Sequence, residues 1–262
     1  MKRIGLIGFG FIGAQVFERI RARRALGLEV AFVHNRGRSR LDALPRDLIL
    51  DDLSDLSART PDLVVEMAHP DYSRHWGERI LALADYLPLS VTALADDALR
   101  TRLQLAAERA SHRLLIPHGA LLGTENLVEW RHMWKDVTIT FRKHPRNLDF
   151  SASGIDGRKI ERETVLYDGP VRGIASLYPR NVNTMVTCAL ATVGLDRCRA
   201  RLIADPALQV AMLEVEAIGL DGGRVTMQKA QPALGVSGTE MFEAQWSSIV
   251  RAAAVREPLG FV

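Results

Sequence analysis

Cysteine, aromatic residues and long apolar runs are all scarce in this chain. Its two cysteines, Cys188 and Cys198, share no CxxC spacing and are too few for a disulfide framework, which points to a reducing compartment. No stretch approaches the ~18 consecutive apolar residues of a membrane span. The apolar run behind Met1-Lys2-Arg3 is broken by glycines before it could serve as a secretory signal. Aromatics make up 6% of the residues, and 34 basic against 31 acidic side chains leave a scattered excess of +3, so the footprint of a nucleic-acid binder is missing. No metal-ligand spacing occurs. The expectation is a cytoplasmic protein with a small-molecule substrate, no metal, no membrane and no nucleic-acid partner. Histidine is absent from one half only: all seven lie between His34 and His144.

The order of what is present says more. The 262 residues, 47% hydrophobic, can build one large or two modest domains. Short apolar runs at 3–7, 29–34, 62–67, 86–90 and 113–116 alternate with helical periods over 13–26, 73–84 and 97–110. That alternation predicts a parallel sheet with helices on both faces. Beyond residue 120 the period shortens: Val137, Ile139 and Phe141 alternate with Thr138, Thr140 and Arg142, as in a half-buried strand. Further strands are predicted at 159–167, 199–204, 211–218 and 224–229, with a helix over 181–193. A closing helical period, 238–254, is expected to pack back on the first domain.

Gly8-Phe9-Gly10-Phe11-Ile12-Gly13 is a GxGxxG between an apolar strand and an amphipathic helix. The first glycine permits the tight turn, the second lets backbone approach a pyrophosphate, and the third allows close helix–strand packing. The phosphate then sits on a helix N-terminus. The bland alternative is glycines serving a turn alone. Where an NAD-selective site would place Asp or Glu, at the end of the second strand, the chain has His34-Asn35-Arg36, then Arg38 and Arg40. Guanidinium suits a 2′-phosphate, so NADP, or both NADP and NAD, is expected unless Arg36 is only a solvated loop cation. The candidate dinucleotide contacts here are Gly8, Gly10, Phe11, Ile12, Gly13, Asn35, Arg36 and Ala68.

Several stretches resemble the L-aspartate dehydrogenases: Asp62–Glu66, Ser90–Asp96, Ile116–Gly123, Phe141–Pro145, Tyr178–Asn183 and Ala204–Pro206, in the family's order. The resemblance implies an α/β protein, with a Rossmann-type parallel-sheet domain over 1–118 and 238–262. A catalytic and dimerisation domain with a mostly antiparallel sheet then occupies 119–237. It implies interconversion of aspartate with iminosuccinate or oxaloacetate. A second domain built on an open sheet commonly pairs with a symmetry mate, so a homodimer is expected. The resemblance also places cofactor contacts at Ala120 and Asn183, the latter alternatively a helix N-cap. Arg142 and Lys143, at a strand end, are candidate carboxylate clamps or a solvated terminus.

The chain departs from the family at one important place. The family's Asn-x-His, whose His is taken as the acid/base, corresponds here to Ala211 and Leu213, and no later His exists. Three readings follow. Aspartate oxidation persists with another proton carrier, for which His118 is the candidate. Alternatively, the substrate is a less polar amino acid or imine, with Leu213 and Met212 lining the pocket. Or the chain binds a dinucleotide without catalysis.

Overall fold

The computed structural model describes residues 1–235 and 237–255. The chain divides into two compact units, one of Met1–Pro117 with the segment from Gln245 onward, the other His118–Ala244.

The first unit is built on β1 (Lys2–Ile7), β2 (Leu28–His34), β3 (Leu63–Glu66) and β4 (Asp85–Pro88), all parallel, in the order β2-β1-β3-β4. Ile4, Leu6, Ile7, Val64 and Val65 are essentially inaccessible, the continuous apolar pattern of strands covered on both faces. Helices α1 (Phe11–Ala22), α2 (Pro70–Leu81) and α3 (Asp97–Ala110) supply the cover. Helix α2 starts three residues earlier than the apolar period suggests, because His69 caps it and Pro70 fits its first turn. The fifth predicted strand, 113–116, shrinks to a single bridge between Leu114 and Tyr86. Pro117 follows at once, lacks an N–H and restricts Ile116, so the ladder ends there.

The second unit holds a five-stranded sheet in the order β6-β7-β5-β8-β9, from β5 (Trp134–Lys143), β6 (Thr164–Pro170), β7 (Arg199–Ala204), β8 (Ala211–Gly219) and β9 (Arg224–Gln231). Only the β5–β7 pair is parallel. β6 begins five residues later than predicted: Asp156 caps a turn at Gly157–Lys159 by accepting from the Arg158 N–H. Its Pro170 is tolerated because β6 is an edge strand. Two short helices, α4 (Thr124–Glu129) and α5 (Val171–Leu177), had no predicted counterpart, being too short to show a period. The predicted 181–193 helix is α6 (Asn183–Ala191).

The closing period forms α7 (Met241–Ala252), with Trp246 and Ile249 buried. The Arg19 guanidinium lies 5.4 Å from the Trp246 ring centre, and Arg113 donates to the Ala252 carbonyl. These contacts tie the helix to the first unit. The predicted region 256–262 lies outside the described residues.

Candidate active site

In the first unit the glycine turn is defined by what it excludes. Gly8 has φ +99, and a Cβ there would lie 2.8 Å from the Met67 backbone. A Cβ on Gly13 would lie 2.1 Å from the Gly8 carbonyl oxygen. Gly10 is different: the nearest atom to its missing Cβ is Nη1 of Arg40, 3.6 Å away, so the turn is open on the side where a phosphate would approach. Helix α1 starts directly after Gly10, with no side chain capping its first turn and no acidic residue in it. Free N–H groups, the helix dipole and a nearby guanidinium together suit a pyrophosphate. The residues present therefore fit a dinucleotide.

Neighbouring loops hold that turn in place. The Asn35 side chain accepts from the Phe9 N–H at 3.0 Å and donates to the Gly37 carbonyl, so its amide knits the end of β2 to the glycine turn. Arg36 is exposed, and its charge reaches the Tyr72 phenol. Arg38 instead pairs with Asp51, which also holds Arg46. Ala68 is exposed beside Gly8. Beneath it lies a residue sequence reasoning missed. Glu66, fully buried, accepts from the Ala68 N–H at 2.6 Å, the His69 N–H at 2.7 Å, and both the N–H and hydroxyl of Ser90. Burial pushes its carboxyl up to about 7, against those four donors. Its only trace in the sequence was a charge at the end of an apolar strand.

In the second unit, the predicted residues fall in two places. The turn of His118, Gly119 and Ala120 sits on the start of α6. The Ala120 N–H donates to Thr184 Oγ1 at 3.2 Å, and the His118 carbonyl accepts from the Leu121 N–H. Asn183 is the first residue of α6; the cap position belongs to Val182, so the Asn183 amide is not the helix cap. The turn that carries His118 and Ala120 is thus joined at Thr184 to the first turn of α6, which Asn183 opens.

Lys143 and Leu213 lie on one face of the sheet. Leu213 stands opposite Phe141 on β5 and opposite Lys229 on β9, and directly opposed residues share a face. Lys143 follows two residues after Phe141, so it projects on that face too; its Nζ is 5.1 Å from the Phe141 ring centre. Lys229 pairs with Glu240. Lys143 is 8% exposed and Leu213 4%. Burial, reinforced by Lys229 and opposed by Glu240, lowers the Lys143 ammonium to about 8. Lys229 was invisible to motif reading because strand register brings it here, and Glu240 because it reaches Lys229 from the segment ahead of α7.

Alternation sends the adjacent predicted residues the other way. Arg142 and Met212 stand opposite each other on the reverse face, where Arg142 pairs with Glu163 and lines a groove with Thr140, Arg201, Met212, Glu214 and Gln228, which Leu213 also borders. Arg142 and Lys143 are therefore not a joint clamp. Met212 and Leu213 project to opposite faces by strand alternation, yet both border that groove.

A dinucleotide-fitting turn on a parallel sheet, in a chain whose second unit carries the buried Lys143 on a mixed sheet, suits an NAD(P)-dependent oxidoreductase. Residues 8–117 match the NAD-binding domain of homoserine dehydrogenase, and 129–239 match the C-terminal domain of aspartate dehydrogenase. An aspartate dehydrogenase domain-containing protein of Xenopus tropicalis is 36% identical over 95% of this chain and 93% of its own. An L-aspartate dehydrogenase of Methanosarcina barkeri is 32% identical over 89% of each. The fold is that of an aspartate dehydrogenase crystal structure from Thermotoga maritima, with TM-score 0.76 over 100% of both chains at 24% identity. The chain belongs to the aspartate dehydrogenase family, and is an NAD(P)-dependent dehydrogenase resembling L-aspartate dehydrogenase.

Proposed function

We propose that this dehydrogenase oxidises L-aspartate to iminosuccinate, which hydrolyses to oxaloacetate and ammonia, and runs the reverse reductive amination. The observation that carries this reading is the pair Lys143 and Lys229 on the covered face of the second sheet: a substrate with two carboxylates needs cationic partners in a largely dry site.

The bound nicotinamide accepts the hydride of the amino acid's α-carbon. Gly8, Gly10, Phe11, Ile12 and Gly13 hold the dinucleotide's phosphates by backbone N–H groups, with Ala68 and Asn35 shaping the turn around them. Arg36 and Arg40 favour a 2′-phosphate, so NADP is accepted alongside NAD. Ala120 leaves room beside the ring, and the Asn183 amide holds its carboxamide or ribose. His118, on the same turn, is within the site and able to relay protons.

Steady-state oxidation of L-aspartate with NAD and with NADP, and NAD(P)H consumption with oxaloacetate plus ammonia, test the reading. Turnover of aspartate above that of alanine, leucine and other amino acids supports it. Leu213, aliphatic at the centre of the cluster, favours one second reading: a less polar amino acid. Preference for such a substrate, with aspartate activity gained on converting Leu213→His and Ala211→Asn, would establish that reading instead.

Two further parts belong to the proposal. The reverse face of the sheet mixes Arg142, Arg201, Glu214 and Glu216, charges of both signs that can complement themselves across a two-fold axis, which supports a homodimer. Light scattering at the dimer mass is the expected result. A cytoplasmic location is supported by two cysteines that are free and buried, and among the described residues no helix is long and apolar enough to cross a membrane.

A further inference from the structure

The carboxylate of Glu66, fully buried at the end of β3, ties three segments of the first unit together. Oε1 accepts from the Ala68 and His69 N–H groups, just ahead of α2, and from the Ser90 hydroxyl at 3.0 Å, just beyond β4. Oε2 has the Ser90 N–H as its partner, at 3.2 Å. The strand ladder does not require this arrangement, because main chain already closes it: the Met67 N–H donates to the Ile7 carbonyl and the Leu89 N–H to the Glu66 carbonyl. What the carboxylate fixes is the course of Met67 and Ala68. These lie so close to the glycine turn that a Cβ on Gly8 would stand 2.8 Å from the Met67 backbone and 3.0 Å from the Ala68 Cβ. The Met67 side chain reaches the same turn, its Cε 3.7 Å from where a Gly13 Cβ would be.

We propose that Glu66 is a positioning residue for the dinucleotide, ionised while the cofactor is bound, and that protonating it frees the Ala68 loop from Ser90 and weakens binding. Oε2, with its single longer bond, is the oxygen open to a proton. An O–H there meets the Ser90 N–H donor to donor, so that bond is lost, and the hold of one loop on the other with it. Burial pushes the carboxyl up to about 7, against its four donors, so the change falls near neutral pH. The other titratable groups facing it are phenols: Tyr86, from β4, bonded to Ser73, and Tyr72, from α2, which feels the Arg36 charge. Burial raises both above the ordinary phenol range, so they stay neutral where Glu66 titrates. His69 shares the loop but turns its ring to Asp71, and His34 has its ring on the Leu50 carbonyl. Binding that needs the ionised form is at full strength above the Glu66 midpoint and declines below it, with a proton released as the dinucleotide binds. Repulsion between carboxylate and pyrophosphate would give the opposite sign.

The test is calorimetric titration with NAD, whose pyrophosphate keeps its charge over this range, whereas the 2′-phosphate of NADP titrates within it. Wild-type affinity is expected to be level above about pH 8 and about tenfold weaker at about pH 6, where roughly a tenth of Glu66 is ionised, with about one proton released per NAD bound there. Glu66→Gln, whose amide mimics the protonated acid, should bind at every pH with the weak affinity of the wild type at low pH. Ser90→Ala removes a donor that favours the ionised form and should move the midpoint of the limb to higher pH. His34→Gln and His69→Asn should keep the limb. Affinity independent of pH, affinity that weakens as pH rises, or a limb that persists in Glu66→Gln or vanishes in His34→Gln overturns the proposal. Where Glu66→Gln fails to fold, the Ser90→Ala protein decides, and a midpoint unmoved from the wild type overturns the assignment to Glu66. Only dinucleotide binding is read, so the outcome does not depend on which amino acid is oxidised.

Discussion

In the function proposed above, the two units hold an anionic ligand by opposite means. The first uses main chain: Gly8, Gly10 and Gly13 remove side chains so that N–H groups and a helix dipole face the phosphates, and Glu66 fastens the neighbouring loop by its backbone. The second uses side chains: Lys143 and Lys229 share a face of the sheet through strand register, and Glu240 pairs with Lys229 from the segment ahead of α7. A site made of backbone tolerates almost no added atom, whereas a site made of side chains can be retuned one residue at a time.

The largest expected effect sits on the backbone side. Gly13→Ala forces a Cβ against the Gly8 carbonyl and should weaken NADPH binding by about 100-fold or more, roughly 3 kcal/mol. Binding is read by fluorescence titration, with circular dichroism checking that the fold persists. Near-normal affinity would break the comparison. Glu66→Ala leaves the Ala68, His69 and Ser90 N–H groups without their carboxylate and should cost about 2 kcal/mol of stability in urea unfolding.

Arg36→Ala should lower NADPH affinity about tenfold, or 1.4 kcal/mol, with NADH affinity held constant. Equal losses for both would move the 2′-phosphate contact to Arg40. The smallest effect is on the reverse face, where Arg142→Ala removes an exposed ion pair with Glu163 and should change stability by under about 1 kcal/mol.

The same contrast decides how much could be read without coordinates. The glycine turn, its flanking strand and helix, and the strands β5, β7, β8 and β9 lay open in the sequence, because each is written over no more than a dozen consecutive residues. Arg142 and Lys143 looked like one clamp for the same reason, yet adjacent strand residues point apart. Lys229 lies 86 positions after Lys143, and Glu240 a further 11, and no local pattern links them. Glu66 was hidden differently: a carboxylate at a strand end reads as solvated until the Ala68–His69 turn folds over it. The fifth parallel strand failed on a single residue, Pro117.

The alternation of β8 also bears on how such an enzyme can change over generations. Substitutions at 211 and 213 alter the face that carries Lys143 and Lys229, and those at 212 and 214 alter the reverse face, so the two can drift independently. Deleting or inserting one residue in this strand would exchange the two sets wholesale, turning Glu214 and Met212 inward and Leu213 out. New substrates are therefore reached along this strand by replacement at constant length, and lineages that differ in specificity should align through 211–219 without gaps.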